Sequence, residues 1–203
     1  MKRLSVTVAG VVAMAVAGLL GWLAPVDAAS AEVTQRRGAS ADAGFVTMLD
    51  ECMAAHTDVS AANWTGKNAL GAKVEGAAIF VEIDVYDSCR NVWRMSVWGH
   101  TDTATVEVDP HGASAAGTVT VCDGGGTCWD VSVSVDWEIS GGAPSVSGWH
   151  EHVRGCIYRD HNLSRGATAS GAVVDIGSGL NLTPDPAAWA SVDYGNSQWV
   201  CNF

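Results

Sequence analysis

Trp129-Asp130-Val131-Ser132-Val133-Ser134-Val135-Asp136-Trp137-Glu138-Ile139 alternates without a break between an apolar and a polar residue. Along a β-strand successive side chains leave on opposite faces, so this stretch sends one set to a core and the other to water. A helix would scatter both sets around its axis. The run Ile79, Val81, Ile83, Val85 repeats the pattern, with Glu82 and Asp84 on the other face. Phe80 and Tyr86 share that acidic face, so it is expected to be partly covered. Further strands are predicted at 92–98, 103–109, 117–123, 153–158, 167–176 and 198–202, with a turn at Pro110-His111-Gly112. Half-solvated strands joined by Gly- and Asp-rich turns predict a mainly β protein. The expected architecture is an antiparallel β-sandwich, immunoglobulin-like or jelly-roll-like. One exception is expected. Phe45, Met48, Leu49 and Cys52 recur at helical spacing behind Asp42 as a cap, which predicts a short N-terminal helix.

Six cysteines staple this framework: Cys52, Cys89, Cys122, Cys128, Cys156 and Cys201. Cys122-Asp-Gly-Gly-Gly-Thr-Cys128 predicts a disulfide across a tight reversal, because the three glycines supply the backbone freedom the turn needs. Cys52–Cys89 and Cys156–Cys201 follow as the remaining expected pairs, the second tying down the C-terminal end. No C-x-x-C spacing exists, which argues against a thiolate zinc site and a redox-active pair.

The start of the chain reads as a secretory signal over residues 1–28. Lys2 and Arg3 precede a long apolar run, and Val26-Asp27-Ala28 offers the small residues that a signal peptidase reads. The even cysteine count fits the oxidising space such a signal leads to. Residues 29–44 read as a disordered lead-in segment and 45–203 as a single β-rich domain, with 141–148 as its one point of subdivision. The expected location is secreted and extracellular, with no stable membrane anchor after cleavage. The Ala- and Gly-rich composition points to a bacterium.

Composition narrows the function. Hydrophobic residues are 48% of the 203 and charged residues 16%. Acids outnumber bases by 22 to 11. Such a surface repels phosphate backbones, which argues against a nucleic-acid partner. No G-x-S-x-G or H-E-x-x-H motif occurs. Candidate chemistry is limited to three groups. Glu82, Asp84, Asp136 and Glu138 are carboxylates on strand faces and could work as pairs in glycoside hydrolysis. His150 and His152 would share one face of a strand, as two ligands of a metal must. Trp64 and Trp189 lie in polar or proline-containing surroundings suited to stacking on a ligand. No cofactor is implied. The resulting expectation is a secreted, non-enzymatic β domain that binds an extracellular glycan, a cell-wall component or a protein, or that supports the cell envelope. The alternatives are an extracellular hydrolase, acting through paired carboxylates or a metal, and a secreted protease inhibitor presenting the Cys122–Cys128 loop.

Overall fold

The computed structural model describes residues 33–68, 71–109, 111–153 and 156–201. The predicted signal segment lies outside the described residues. Ten strands follow in order: β1 (Val33–Met48), β2 (Met53–Asn68), β3 (Lys73–Asp87), β4 (Val92–Thr101), β5 (Thr105–Asp109), β6 (Gly112–Asp123), β7 (Cys128–Ile139), β8 (Ser145–Val153), β9 (Cys156–Asp175) and β10 (Trp189–Cys201). All pair antiparallel in one sheet, ordered β10-β1-β2-β3-β4-β6-β7-β9-β8, with β5 on the side of β6 that also takes β4. β9 pairs with β10 as well, so eight strands close into a ring. The length of β9 permits this: residues 156–166 pair with β10 and residues 167–175 with β7. β8 pairs with the first half of β9 and lies outside the ring.

Odd-numbered residues of β1 to β4, β6, β7 and β9, with the even-numbered Val192 of β10, fill the interior of the ring. Ala41, Ala43 and Phe45 of β1 meet Val59 and Ala61 of β2, Ile79, Val81 and Ile83 of β3, Val119 and Val121 of β6, and Val131, Val133, Val135 and Trp137 of β7. Small residues on β1 and β2 leave room for the large indole of Trp137, whose Nε1 donates to the Asp42 carbonyl at 3.1 Å. β7 therefore faces β1 across the core. On the outside of β7, Asp130, Ser132, Ser134, Asp136 and Glu138 are exposed. This polarity is the reverse of that of a membrane-spanning barrel. One end of the ring is covered by the segment before β10, where Thr47 donates to the Leu182 carbonyl at 2.5 Å and Val173 donates to Thr183 Oγ1 at 2.8 Å. Elsewhere the Tyr194 hydroxyl bonds the Asp109 carbonyl, tying β10 to β5.

Several expectations need correction. A single sheet in nearly sequential strand order replaces the immunoglobulin-like or jelly-roll order. The expected helix from Phe45 is absent: β1 runs to Met48 and β2 starts at Met53. The helical spacing of Phe45, Met48, Leu49 and Cys52 spans a hairpin, closed by Asp50 Oδ1, which accepts from the Cys52 and Met53 amides at 2.7 and 2.8 Å. The lead-in segment is, from Val33 on, strand β1, held between β2 and β10. Its Ala, Gly and Ser residues suit the crowded ring interior and carry little hydrophobic signal. Of the strand expected at 153–158, Val153 ends β8 and residues 156–158 begin β9, with Val153 opposite Cys156; residues 154 and 155 lie outside the described residues. Residues 141–144 connect β7 to β8, and residues 145–148 are the start of β8.

Disulfides Cys52–Cys89 and Cys122–Cys128 are formed. The second closes the β6–β7 hairpin, where Cys122 and Cys128 stand opposite each other in register. Cys156 and Cys201 are likewise opposite each other, on β9 and β10. Their side chains lie outside the described residues.

Candidate functional site

The outward face of β10, β1, β2, β3 and β4 differs from that of β7. Its side chains range from buried (Asp42) through half-buried (Asp58, Glu82) to exposed (Trp98, Trp189), and they bring aromatic and acidic groups together. One cross-strand row reads Trp189 (β10), Gly44 (β1), Asp58 (β2), Glu82 (β3) and Trp98 (β4). Residues directly opposite in an antiparallel sheet share a face, so this row presents two carboxylates between two indoles. With strands spaced about 4.8 Å apart, the row spans about 19 Å. Gly44 makes it possible: a Cβ there would collide with the Trp189 ring and stand 2.7 Å from Asp58 Oδ1. Trp189 therefore lies over the β1 backbone beside the Asp58 carboxylate. At the other end Trp98 stacks on Phe80, ring centres 6.2 Å apart.

Adjacent rows extend the pattern. Ser191, Asp42, Ser60, Phe80 and His100 form the row on one side, and Val46, His56, Asp84 and Ser96 part of the row on the other. Trp93 packs on Tyr86 at 4.9 Å and on His56 at 5.7 Å. Farther along β2, Trp64 lies over Gly76 of β3 as Trp189 does over Gly44. Aromatic side chains thus frame a band of carboxylates. Trp98 is 57% exposed and Trp189 41%, so both offer ring surface to a ligand.

These carboxylates receive no help from bases. Burial lifts Asp42 to about 6; bonds from Ser60 (2.5 Å) and Ser40 (3.5 Å) oppose the rise, and Asp193 adds to it. Burial also lifts Asp58 to about 6, reinforced by Glu82, Asp84 and Asp42. Glu82 is raised too, first by burial and then by Asp84. The ion pairs Lys73–Glu75 and Arg94–Asp87 lie away from this face. Around pH 6 the band therefore holds both ionised and protonated carboxyls, that is, acceptors and donors side by side, and above it the ionised acceptors dominate. Such a set suits hydroxyl groups, which need both.

The sequence candidates divide. Glu82 and Asp84 belong to the band, and Trp64 and Trp189 to its aromatic frame. Both tryptophans sit on strands. Asp136 and Glu138 project from β7, across the core, and pair with Ser114 and Gly112 of β6 instead of with another acid. His150 and His152 share a face of β8, ring centres 6.2 Å apart. Among the described residues no three His, Cys, Asp or Glu side chains form a group that would hold a metal ion. Sequence reading passed over Asp42, Asp58 and Trp98. The helical spacing from Phe45 makes Asp42 a cap and hides the strand period near Asp58, and Trp98 gains its partners only from the β3–β4 register. No family model, curated protein or solved structure matches the chain.

Proposed function

We propose that this chain is a secreted, non-enzymatic binding module whose aromatic and acidic sheet face takes an extracellular glycan. The observation that carries the reading is the row Trp189–Gly44–Asp58–Glu82–Trp98. Indole faces stack on the C–H faces of sugar rings, and carboxyls spaced between them accept and donate hydroxyl hydrogen bonds. A length of about 19 Å accommodates a short oligosaccharide, since the row crosses five strands. The acidic charge speaks against phosphate-bearing ligands. Two disulfides and a closed ring hold the face rigid, which lowers the entropy lost on binding.

The test is retention of the purified protein on insoluble polysaccharides and peptidoglycan, beside a glycan array. Trp98→Ala and Trp189→Ala should each weaken binding about tenfold or more, since a buried aromatic stack contributes on the order of 1–2 kcal/mol. Wild-type protein that binds no polysaccharide, or variants that bind as well as wild type, would refute the reading.

One observation favours a second reading, glycoside hydrolysis. Asp58 stands directly opposite Glu82, and directly opposed side chains start roughly 5 Å apart. That is close to the carboxyl separation of retaining glycosidases, with Asp58 raised as an acid should be. Sugar release by wild type that disappears in Glu82→Gln would select this reading over simple binding.

A further inference from the structure

We infer that His150 and His152 form a chelating site for a late first-row divalent cation, Cu²⁺ or Zn²⁺, on the outer strand β8. The site is separate from the glycan face and does not depend on it. β8 pairs only with β9, at the end of the sheet order, and Ser145 to His152 are all exposed. Residues two apart on a strand share a face, and here both are imidazoles. An imidazole bound to such a cation places its ring centre roughly 3 Å from the metal, a bond of about 2 Å plus the ring radius. Two rings on one cation therefore have centres up to about 6 Å apart. The observed separation is 6.2 Å with planes at 76°, so small side-chain rotations bring one nitrogen from each ring onto a common ion.

The surroundings leave the site open. Gly148 stands before His150 on the same face and carries no side chain that could crowd it. His161 of β9 is opposite Gly148, one diagonal step from His150, with Nδ1 2.8 Å from where a Gly148 Cβ would be. Opposite His161 on its other side is Asn196, whose buried Oδ1 has no hydrogen-bond partner. Arg159 stands opposite His150 and opposes a cation there. The formal charge of −11 of the whole chain favours one at longer range. Two imidazoles leave the remaining coordination positions to water, which makes this an exchangeable surface site and not a closed structural one.

Calorimetric titration of the purified protein with Cu²⁺ and with Zn²⁺ tests the site. One ion should bind per chain, Cu²⁺ more tightly than Zn²⁺. His150→Gln and His152→Gln should each weaken binding about tenfold or more, because either change reduces a chelate to a single contact. Cu²⁺ should broaden amide resonances of β8 and the adjoining part of β9 before any others. Both side chains are exposed, so the variants should keep the wild-type circular dichroism. Absence of binding by wild type would overturn the inference. Unchanged affinity in the double variant would do the same, and would assign any bound ion to the acidic face.

Discussion

Asp42→Asn should make the protein more stable at neutral pH. Asp42 is 5% exposed, accepts from Ser60 and Ser40, and faces Asp193 with no base to offset it. Its carboxyl is lifted to about 6, against about 3.9 in an unfolded chain. At about 1.4 kcal/mol per pH unit, ionising it in the fold costs up to roughly 3 kcal/mol. The sign follows from proton binding. Between about 4 and 6 the folded state holds the proton and the unfolded state has lost it, so stability falls as pH rises through that window. Below it both states are protonated and the penalty vanishes. Asparagine has nearly the same shape, stays neutral, and can still accept from Ser60 while donating towards Asp193. The variant should gain about 1–3 kcal/mol at pH 7.5, a few degrees or more in Tm, and little at pH 4. Urea unfolding followed by tryptophan fluorescence at both pH values reads the difference directly. Equal stability at pH 7.5, or a variant advantage that is the same at both pH values, would refute the reasoning.

Removing Cys52–Cys89, which spans 37 residues, should cost more than removing Cys122–Cys128, which spans 6. Chain entropy gives about 4 against about 2 kcal/mol, measurable by urea unfolding of paired Cys→Ser variants. Gly44→Ala should displace Trp189 and cost about 1–3 kcal/mol, with a parallel loss of glycan retention. A ligand covering Asp58 desolvates it further and so favours its protonated form. Affinity for a neutral glycan should therefore fall as pH rises through about 6, with proton uptake seen as buffer-dependent calorimetric heat; proton release would contradict this.

The legibility of the fold followed the contrast between its faces. β7 was plain because Val and Trp face a dry core while Asp, Ser and Glu face water. β1 and β2 were not, because most of their interior positions are small: Ala41, Ala43, Ala55, Thr57 and Ala61, with only Phe45 and Val59 larger. Alanine suits the space opposite Trp137 but carries no period-two signal against the serines and glycines around it. With that signal weak, a local helical spacing won, and the turn chemistry of Asp50 went unread. Cys122–Cys128 was readable from its own loop, whereas closure of the ring through β9 depends on pairings between segments far apart in sequence.

The site was half legible for the same reason. Glu82 and Asp84 stood out because Phe80 and Tyr86 share their side of a clear strand. Asp42 and Asp58 lie on the two strands whose period was hidden, and only the register places Asp58 opposite Glu82 and beside Trp189. This placement also separates the band from ordinary solvated acids. Asp130, Asp136 and Glu138 are exposed and lose no hydration on folding. Asp42 and Asp58 lose it without gaining a base, which costs the free protein stability. Neighbouring Ser40, Ser60 and Ser191 show that neutral side chains fit the same rows. Packing therefore does not require carboxyls at these positions, and a ligand whose hydroxyls pair with Asp58 and Glu82 would supply them with partners of the kind Ser60 and Ser40 give Asp42.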